Sequence, residues 1–289
     1  MTPEVQMQIG IGLPNTLHID GSQVTGWARR AEERGFFELA TIDRIVYPTY
    51  DSLISLAVAA GATTRIGLLS NILLAPTYPA VWLAKATASL HAMSGGRLTV
   101  GLAVGGREDD YAAVDRPFDQ RGRTMDETLT VLRRAWAGEP VGGGDHPIGP
   151  PPPGGRVPIL IGGTSDAAIR RTVQYGDGWT AGGGGPQMAD PMVERIRRAW
   201  REAGREGEPR MAALVYFGLG DPEASRASLR RYYGFLGDRT EGIVESAIRS
   251  PDAAKDTVRA VGEIGMTELL FMPTVPSVDE VDRLADAVL

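Results

Sequence analysis

Short β-rich runs alternate with longer amphipathic stretches along nearly the whole chain, and this alternation restricts the fold more than any other feature. Eight runs are predicted to be strands, and nearly every one is followed by a helical pattern. Repeated strand–helix units form parallel sheets with right-handed crossovers. Eight such units within 289 residues predict an α/β fold, a single-domain (β/α)8 TIM barrel. A doubly wound open sheet stays as the alternative, because periodicity alone does not separate the two.

The predicted elements are spread evenly along one domain of residues 1–289, with a Pro/Gly-rich, irregular insertion near 138–155. Ser22 and Asp51 are placed to cap the first two helices. Predicted strands cover 6–13, 36–42, 65–73, 98–103, 157–161, 178–181, 211–218 and 268–272. Predicted helices cover 22–34, 51–62, 80–93, 125–136, 165–175 and 188–204, with further helical material between 222 and 264.

Composition indicates a globular chain and excludes several kinds of site. Hydrophobic residues make up 43% and charged residues 23%, so a large buried core is expected. Cysteine is absent, which excludes disulfides, thiolate metal sites, iron–sulfur clusters and cysteine nucleophiles. The net charge of −6, without a basic tail, argues against a nucleic-acid partner. Neither a signal peptide nor a membrane-spanning run is recognisable, so a cytoplasmic protein without a membrane partner is expected.

The turn after the fifth predicted strand is the most informative candidate site. In either architecture ligands bind at the carboxyl ends of the strands. Gly162, Gly163 and Thr164 occupy such an end, directly before a helix. Glycines let the backbone approach a ligand closely, and a helix start offers free N–H groups and the positive end of its dipole. The turn therefore predicts a phosphate site. The alternative is a tight strand–helix turn without a ligand.

Asp43 and Arg44, at the end of the second predicted strand, have two interpretations. They form either an acid–base pair at a site or an ion pair that closes a loop, and the residues alone favour the ion pair. The chain has no Walker-type loop, no complete Rossmann fingerprint and no Gly-x-Ser-x-Gly elbow. The histidines are scattered without a carboxylate at ligand spacing, so no metal site is expected, and His91 is expected at the surface.

Four segments of the chain are informative when they are taken together. They are GFFELATIDRIVYPTYDSL, TTRIGLLSNILLAPTYPAVWLAKATASLHAMSGGRLTVGLAVGG, FDQRGRTMDETLTVLRRAWAG and PILIGGTSDAAIRRTVQYGDGWT. The segments resemble the bacterial luciferase-like family of flavin- and deazaflavin-dependent oxidoreductases. They occur in the family's order within residues 6–181, and the match is thinner after residue 185. The turn at 93–97 and the stretch at 162–179 are specific when they occur together.

The resemblance implies a (β/α)8 barrel that binds FMN or coenzyme F420 at the strand ends. The family's phosphate pocket corresponds to Gly162, Gly163 and Thr164, with the loop at Gly105 and Gly106 beside it. Both cofactors present a tricyclic ring and a phosphate, so this turn suits either of them.

The resemblance also implies where the cofactor ring lies, and two positions of this chain differ from the family pattern. The strand-three bulge behind the ring corresponds to Ser70 and Asn71, and the peptide between them is expected to be cis. Many deazaflavin members have Asp-His at the end of strand two, where this chain has Asp43 and Arg44. A glutamate of some relatives is replaced by Gly106. Arginine stays protonated, so Arg44 is expected to orient an anionic substrate or polarise a carbonyl.

Two functional classes follow from the resemblance. The first is an oxidoreductase in which reduced FMN or reduced F420 delivers a hydride to a small organic substrate, or reduced FMN activates oxygen for monooxygenation. The second is a non-catalytic flavin-binding relative, a carrier or sensor. The glycine-rich face favours the enzyme, and a phosphate-binding lyase or isomerase without flavin ranks third. The expected partners are a small-molecule substrate and a second copy of the chain in a homodimer.

Overall fold

Eight parallel strands close into a barrel in the computed structural model, which describes residues 7–183 and 185–289. Each strand pairs with the next along the chain, and the last pairs with the first, for example Leu270 with Gly10. This closure confirms the (β/α)8 barrel and excludes the open sheet. The strands are β1 (Gln8–Gly12), β2 (Glu38–Thr41), β3 (Gly67–Leu74), β4 (Leu98–Ala103), β5 (Ile159–Gly162), β6 (Gly178–Ala181), β7 (Arg210–Phe217) and β8 (Glu268–Pro273).

Helices connect the strands and cover the outside of the barrel. Their buried faces contribute Trp27, Trp136 and Leu132 to a core that surrounds the sheet. The helices are α1 (Ser22–Arg34), α2 (Ser52–Ala62), α3 (Ala80–Met93), α4 (Glu108–Ala112), α5 (Arg121–Trp136), α6 (Asp166–Tyr175), α7 (Pro186–Glu202), α8 (Pro222–Tyr233), α9 (Thr240–Ser246), α10 (Pro251–Glu263) and α11 (Asp279–Val288). Short 3-10 turns occur at Ala75–Thr77, Phe118–Gln120, Pro153–Gly155 and Gly234–Arg239.

The two predicted helix caps have different outcomes. Asp51 caps α2, because its Oδ1 accepts a hydrogen bond from Ile54 N at 2.8 Å. Ser22 does not cap α1 but is its first residue, and the Ser22 N–H donates to Asp20 Oδ1 at 2.9 Å. The prediction for Ser22 is therefore wrong, because Asp20 supplies the acceptor for the start of this helix.

Three further features differ from the expectation or extend it. His91 is buried rather than exposed, because its Nδ1 lies 2.8 Å from the Leu98 carbonyl oxygen at the start of β4. Helix α5 begins at Arg121 rather than at 125, and α11 was not predicted. The range 138–155 has irregular backbone apart from the turn at Pro153–Gly155. In the described part of the chain, no helix is long and apolar enough to cross a membrane.

A charged cluster fills the amino-terminal end of the barrel interior. Arg210 Nε and Nη2 donate to the two carboxylate oxygens of Glu268 at 2.6 and 2.8 Å. The same guanidinium lies 3.5 Å from Glu38 Oε2 and donates to Thr99 Oγ1 at 2.9 Å. Since β2, β7 and β8 begin at these three charged residues, this end is closed by side chains. Ligands therefore enter from the carboxyl ends of the strands.

Candidate active site

A cavity of about 270 Å³ opens at the carboxyl ends of β3, β5 and β6. This volume is slightly below the range of roughly 300–1,000 Å³ that is usual for small-molecule sites. The cavity brings together four of the predicted cofactor residues, Asn71, Gly162, Gly163 and Thr164. Among the described residues, the cavity is lined by Asn71, Ile72, Gly162, Gly163, Thr164, Trp179, Thr180, Ala181, Gly182, Gly183 and Leu214.

The turn after β5 has a backbone that requires glycine. Gly163 has φ +110°, and its carbonyl oxygen accepts a hydrogen bond from Trp179 Nε1 at 2.8 Å. A Cβ on Gly162 would lie 3.2 Å from Ile72 Cδ1, so a side chain there would crowd the bulge of β3. Ser165 caps α6, since its Oγ accepts from Ala168 N at 3.2 Å. The turn is therefore held by packing while its open side faces the cavity.

Arg195 on α7 adds a cation to this turn, and the sequence did not single it out. Its Nη1 lies 3.5 Å from the Thr164 carbonyl oxygen, and its Nη2 donates to Asp166 Oδ1 at 2.6 Å. Asp166 is almost fully exposed, so the pair is a surface ion pair that water screens. An isolated arginine on a predicted helix carries no sequence signal that marks it as part of a site.

The bulge of β3 is present, but its cis peptide is one bond later than expected. Pairing between β3 and β4 shifts register between Ser70 and Leu73. The cis bond joins Asn71 to Ile72, so the prediction of a cis bond between Ser70 and Asn71 is wrong. The resemblance locates a bulge in the strand, whereas the register of its peptides depends on the pairing with β4. Ser70 points away from the cavity, because its Oγ accepts from Gly101 N at 3.1 Å.

Asn71 presents a buried amide to the cavity. The Thr180 hydroxyl donates to Asn71 Oδ1 at 2.8 Å. Asn71 Nδ2 has no hydrogen-bond partner among the residues that the structure describes, although the side chain is only 5% exposed. Nearly all buried polar groups in proteins have a partner, so this donor indicates a place for a ligand atom or an ordered water.

The loop after β4 lies beside the cavity but does not line it. Gly105 has φ +69°, and a Cβ there would lie 2.7 Å from Leu74 Cδ2. Gly106 has open space around its Cβ position. The Tyr111 hydroxyl donates to the Val104 carbonyl oxygen and fixes the start of this loop. Gly105 is therefore required by its backbone and by Leu74, whereas Gly106 would tolerate a side chain.

Asp43 is tied to the end of β3 rather than to Arg44. Its Oδ2 accepts hydrogen bonds from Leu74 N at 3.0 Å and from the Tyr78 hydroxyl at 2.9 Å. Burial raises the pKa of Asp43 to about 6, although both hydrogen bonds act to lower it. Within residues 7–183 and 185–289, Asp43 and Arg44 do not pair with each other.

Arg44 lies in a ring of aromatic side chains. Its Nη1 donates to the Tyr232 carbonyl oxygen at 2.7 Å. The guanidinium carbon lies 4.4, 4.9 and 5.1 Å from the ring centres of Tyr47, Tyr232 and Phe235. Its Nε is buried and has no partner in the described part of the chain. Arg44 therefore combines a buried, unpartnered N–H donor with a set of cation–π contacts.

The carboxyl end of the barrel is covered on one side and open on the other. The Tyr216 hydroxyl on β7 lies 2.5 Å from the Tyr233 hydroxyl at the end of α8. Tyr232 and Tyr233 pack edge to face with ring centres 4.9 Å apart. Burial raises the pKa of all three phenols, so they stay protonated at neutral pH. The end of α8 thus covers the β7 side, and the cavity lies toward β3, β5 and β6.

A larger cavity of about 480 Å³ lies outside the barrel between α2 and α3. Its walls are mostly apolar, and it lies on the helices rather than at the strand ends. It lacks the glycine turn and the buried amide of the smaller cavity. We therefore place the site at the strand ends. Within the described ranges, no group of three or more His, Asp or Glu residues is arranged to hold a metal ion.

Residues 7–267 match the family model for luciferase-like monooxygenases. The chain belongs to this family and is an oxidoreductase, as the resemblance predicted. An uncharacterized protein of Mycobacterium tuberculosis is 29% identical over 206 residues, which cover 62% of this chain and 71% of that protein. The 5,10-methylenetetrahydromethanopterin reductase of Methanolobus tindarius is 26% identical over 215 residues, which cover 71% of this chain and 64% of the reductase.

Solved structures share the fold along nearly the full chain. An F420-dependent secondary alcohol dehydrogenase in complex with an F420–acetone adduct superposes with a TM-score of 0.80 at 18% identity, covering 98% of both chains. The EDTA monooxygenase of a Chelativorans species superposes with a TM-score of 0.71 at 15% identity, covering 97% of this chain and 93% of the monooxygenase. At such low identity the likeness shows the fold alone.

Proposed function

We propose that this protein binds FMN or coenzyme F420 in the cavity at the ends of β3, β5 and β6, and uses the reduced cofactor to transform a small organic substrate. One observation carries the proposal: the glycine turn at 162–164 and the buried, unpartnered amide of Asn71 line the same cavity. The bound cofactor would supply hydride transfer or, for FMN, activation of oxygen. The match to the monooxygenase family and the relationship to a reductase support redox chemistry at this site.

The residues present fit a phosphorylated ring cofactor. Gly162, Gly163 and Thr164 form an open turn at the start of α6, where free N–H groups and the helix dipole favour a phosphate. Arg195 lies beside Thr164 and would offer the phosphate a charged donor that it now shares with Asp166. Asn71 would meet the ring. Gly105 and Gly106 would border the chain that links the phosphate to the ring.

Asp43 and Arg44 would act on the substrate side of the ring. Both lie at the carboxyl end of β2, across the barrel from the phosphate turn. The free Nε of Arg44 can donate to a carbonyl or an anionic group of a substrate, because an arginine stays protonated. Asp43 has a raised pKa and would exchange a proton near neutral pH. Substitution of Arg44 should then raise KM more than it lowers kcat.

Titration with matched ligands tests the proposal. The purified chain is titrated with FMN, F420, riboflavin and NADPH, and binding is followed by the fluorescence and absorption of the ring. We expect saturable binding of FMN or F420, weaker binding of riboflavin because it lacks the phosphate, and no tight binding of NADPH. Lack of binding by both FMN and F420 would contradict the proposal.

Turnover separates the enzyme from a carrier or sensor. Catalytic consumption of the reduced cofactor in the presence of a substrate panel supports the enzyme, which the family match favours. Binding of the cofactor without turnover for any class of acceptor would favour the non-catalytic relative. The panel should contain carbonyl compounds, carboxylates and aromatic compounds.

We further propose that the whole chain is one cytoplasmic domain that forms a homodimer through α2 and α3. Ile54, Val58, Trp82 and Met93 are exposed to 65, 40, 62 and 87% on these helices, and apolar patches of this kind mark interfaces. Trp82→Glu is expected to convert the dimer to a monomer in sedimentation analysis. Val278→Glu, an exposed apolar position elsewhere, is the control. A parent that sediments as a monomer would refute the dimer.

A further inference from the structure

The amide of Asn71 has a fixed orientation within the cavity. Because Thr180 donates to Oδ1, that oxygen is already engaged and both hydrogens of Nδ2 are left for another acceptor. The neighbouring walls include Ile72 and Leu214, which offer no side-chain acceptor. A buried donor without a partner is unfavourable, so a ligand that supplies an acceptor here binds more tightly than one that does not.

We propose that Asn71 Nδ2 donates to the acceptor edge of the pyrimidine part of the bound ring, and that this contact favours the reduced form of the cofactor. This inference rests on the proposed function, since it requires a flavin-type ring in the cavity. The pyrimidine ring accepts at N1, at the C2 carbonyl and at the C4 carbonyl, and it donates only at N3–H. Because Oδ1 is engaged by Thr180, the free Nδ2 pairs with an acceptor of the ring and not with N3–H. Among the acceptors, N1 and the C2 carbonyl are the strongest partners once reduction places negative charge on them.

Charge explains the preference for the reduced form. Two-electron reduction with uptake of one proton leaves negative charge on the N1–C2 edge of the ring. A hydrogen bond to a charged acceptor is roughly twice as strong as one between neutral groups. Apolar surroundings strengthen it further, because the local dielectric is low. Asn71 therefore tunes the ring without exchanging a proton itself, and Thr180 acts as its positioning residue.

The test compares the affinities of the two redox states. Asn71→Leu removes the donor while keeping a similar volume, and Asn71→Ala is the second variant in case leucine disturbs the fold. The dissociation constants of oxidised and reduced FMN, or of F420 if the parent binds that cofactor, are measured without oxygen. The midpoint potential of the bound ring is measured as an independent readout.

We expect the preference for the reduced ring to fall about tenfold in both Asn71 variants. For a two-electron couple, a tenfold change corresponds to a potential lower by about 30 mV. Thr180→Val should shift the potential in the same direction by less, and Thr180→Ser, which keeps the hydroxyl, should restore the parent value. Leu214→Met changes an apolar wall of the same cavity and should affect both redox states equally.

Two results separate this inference from the proposed function. If the parent binds neither cofactor, the proposed function fails, and the inference fails with it. If the parent binds a cofactor and the Asn71 variants keep the parent's ratio of affinities and its potential, the inference alone is refuted. An equal loss of affinity for both redox states would also refute it, because the contact would then be insensitive to the charge of the ring.

Discussion

Arg44 at the end of β2 donates a hydrogen bond to the Tyr232 carbonyl oxygen at the end of α8, 188 residues later in the chain, at 2.7 Å. This bond holds the end of α8 over the β7 side of the barrel. The Nε of the same guanidinium is buried without a partner among the described residues, and we propose that it binds the substrate. In this proposal Arg44 both anchors the end of α8 and supplies a positive charge to the site.

Arg44→Ala is expected to loosen the segment 232–239 as well as to weaken substrate binding. A hydrogen bond from a charged donor is worth about 1.5–3 kcal/mol, and the aromatic contacts add to it. Urea unfolding should show that the free energy of unfolding falls by about this amount. Amide hydrogen exchange should become faster in residues 232–239. Arg231→Ala, at an exposed position on α8, is the control. Unchanged exchange with a raised KM would leave Arg44 a role in substrate binding only.

Gly163→Ala is expected to destabilise the protein even without a cofactor. A φ of +110° is strained for any residue with a Cβ, and such strain costs of order 1–3 kcal/mol. Gly106→Ala is the matched control, because that glycine has open space at its Cβ position and no positive φ. Urea unfolding of the two variants measures the difference. Equal stability of both would show that the turn after β5 relaxes freely.

Thr164→Asp tests the phosphate at this turn without the strain that Gly163→Asp would add. Two unit charges 4 Å apart repel by about 1 kcal/mol in water and about 4 kcal/mol at an effective dielectric of 20. Thr164 is exposed, so we expect FMN affinity to fall by about tenfold or more, with partial rescue by salt. Riboflavin affinity should not change. Thr164→Asn is the control, because asparagine has the shape of aspartate without its charge, and this variant should bind FMN as the parent does.

An equal loss of FMN and riboflavin affinity in Thr164→Asp would mean that the substitution disturbs the cavity rather than a phosphate. Unchanged FMN affinity would place the phosphate elsewhere. Either result would remove the main support for a phosphate bound at the turn after β5.

The barrel was predictable because its signals are local. The predicted bounds of the helices Ser22–Arg34 and Ala80–Met93 agree with the structure, since each has an apolar face and a clear stop signal. The burial of His91 was missed, because it depends on a carbonyl of the next strand. The same is true of the cis bond between Asn71 and Ile72, whose position depends on pairing with β4.

The candidate site was predictable in part. Glycine turns at strand ends are visible in the sequence, and the turn at Gly162 indeed lines the cavity. The partners of Arg44 and Asp43 were not visible, because they come from α8 and from the end of β3. Arg195 was missed for the same reason. Such contacts are set by the closure of the barrel and not by neighbours in the chain.

Glu38 and Glu268 share Arg210 inside the barrel, and their arrangement gives a pH dependence of stability. Arg210 makes a two-pronged contact with Glu268, whereas Glu38 Oε1 has no partner among the described residues. Burial, and then the nearby Glu268 carboxylate, raise the pKa of Glu38 from 4.5 to about 8. Glu38 therefore holds the proton of this cluster at neutral pH.

The free energy of unfolding should fall as the pH rises from about 4.5 to about 8. In this window the folded protein holds a proton on Glu38 that the unfolded chain has lost, so raising the pH favours unfolding. Glu38→Gln imitates the protonated side chain and should flatten this part of the profile, so that the variant is the more stable one above pH 8. Glu263→Gln, at an exposed position on α10, controls for loss of a carboxylate. Melting temperatures at several pH values, at constant ionic strength, give the comparison. Parallel profiles for the parent and Glu38→Gln would show that Glu38 is already ionised in the folded protein.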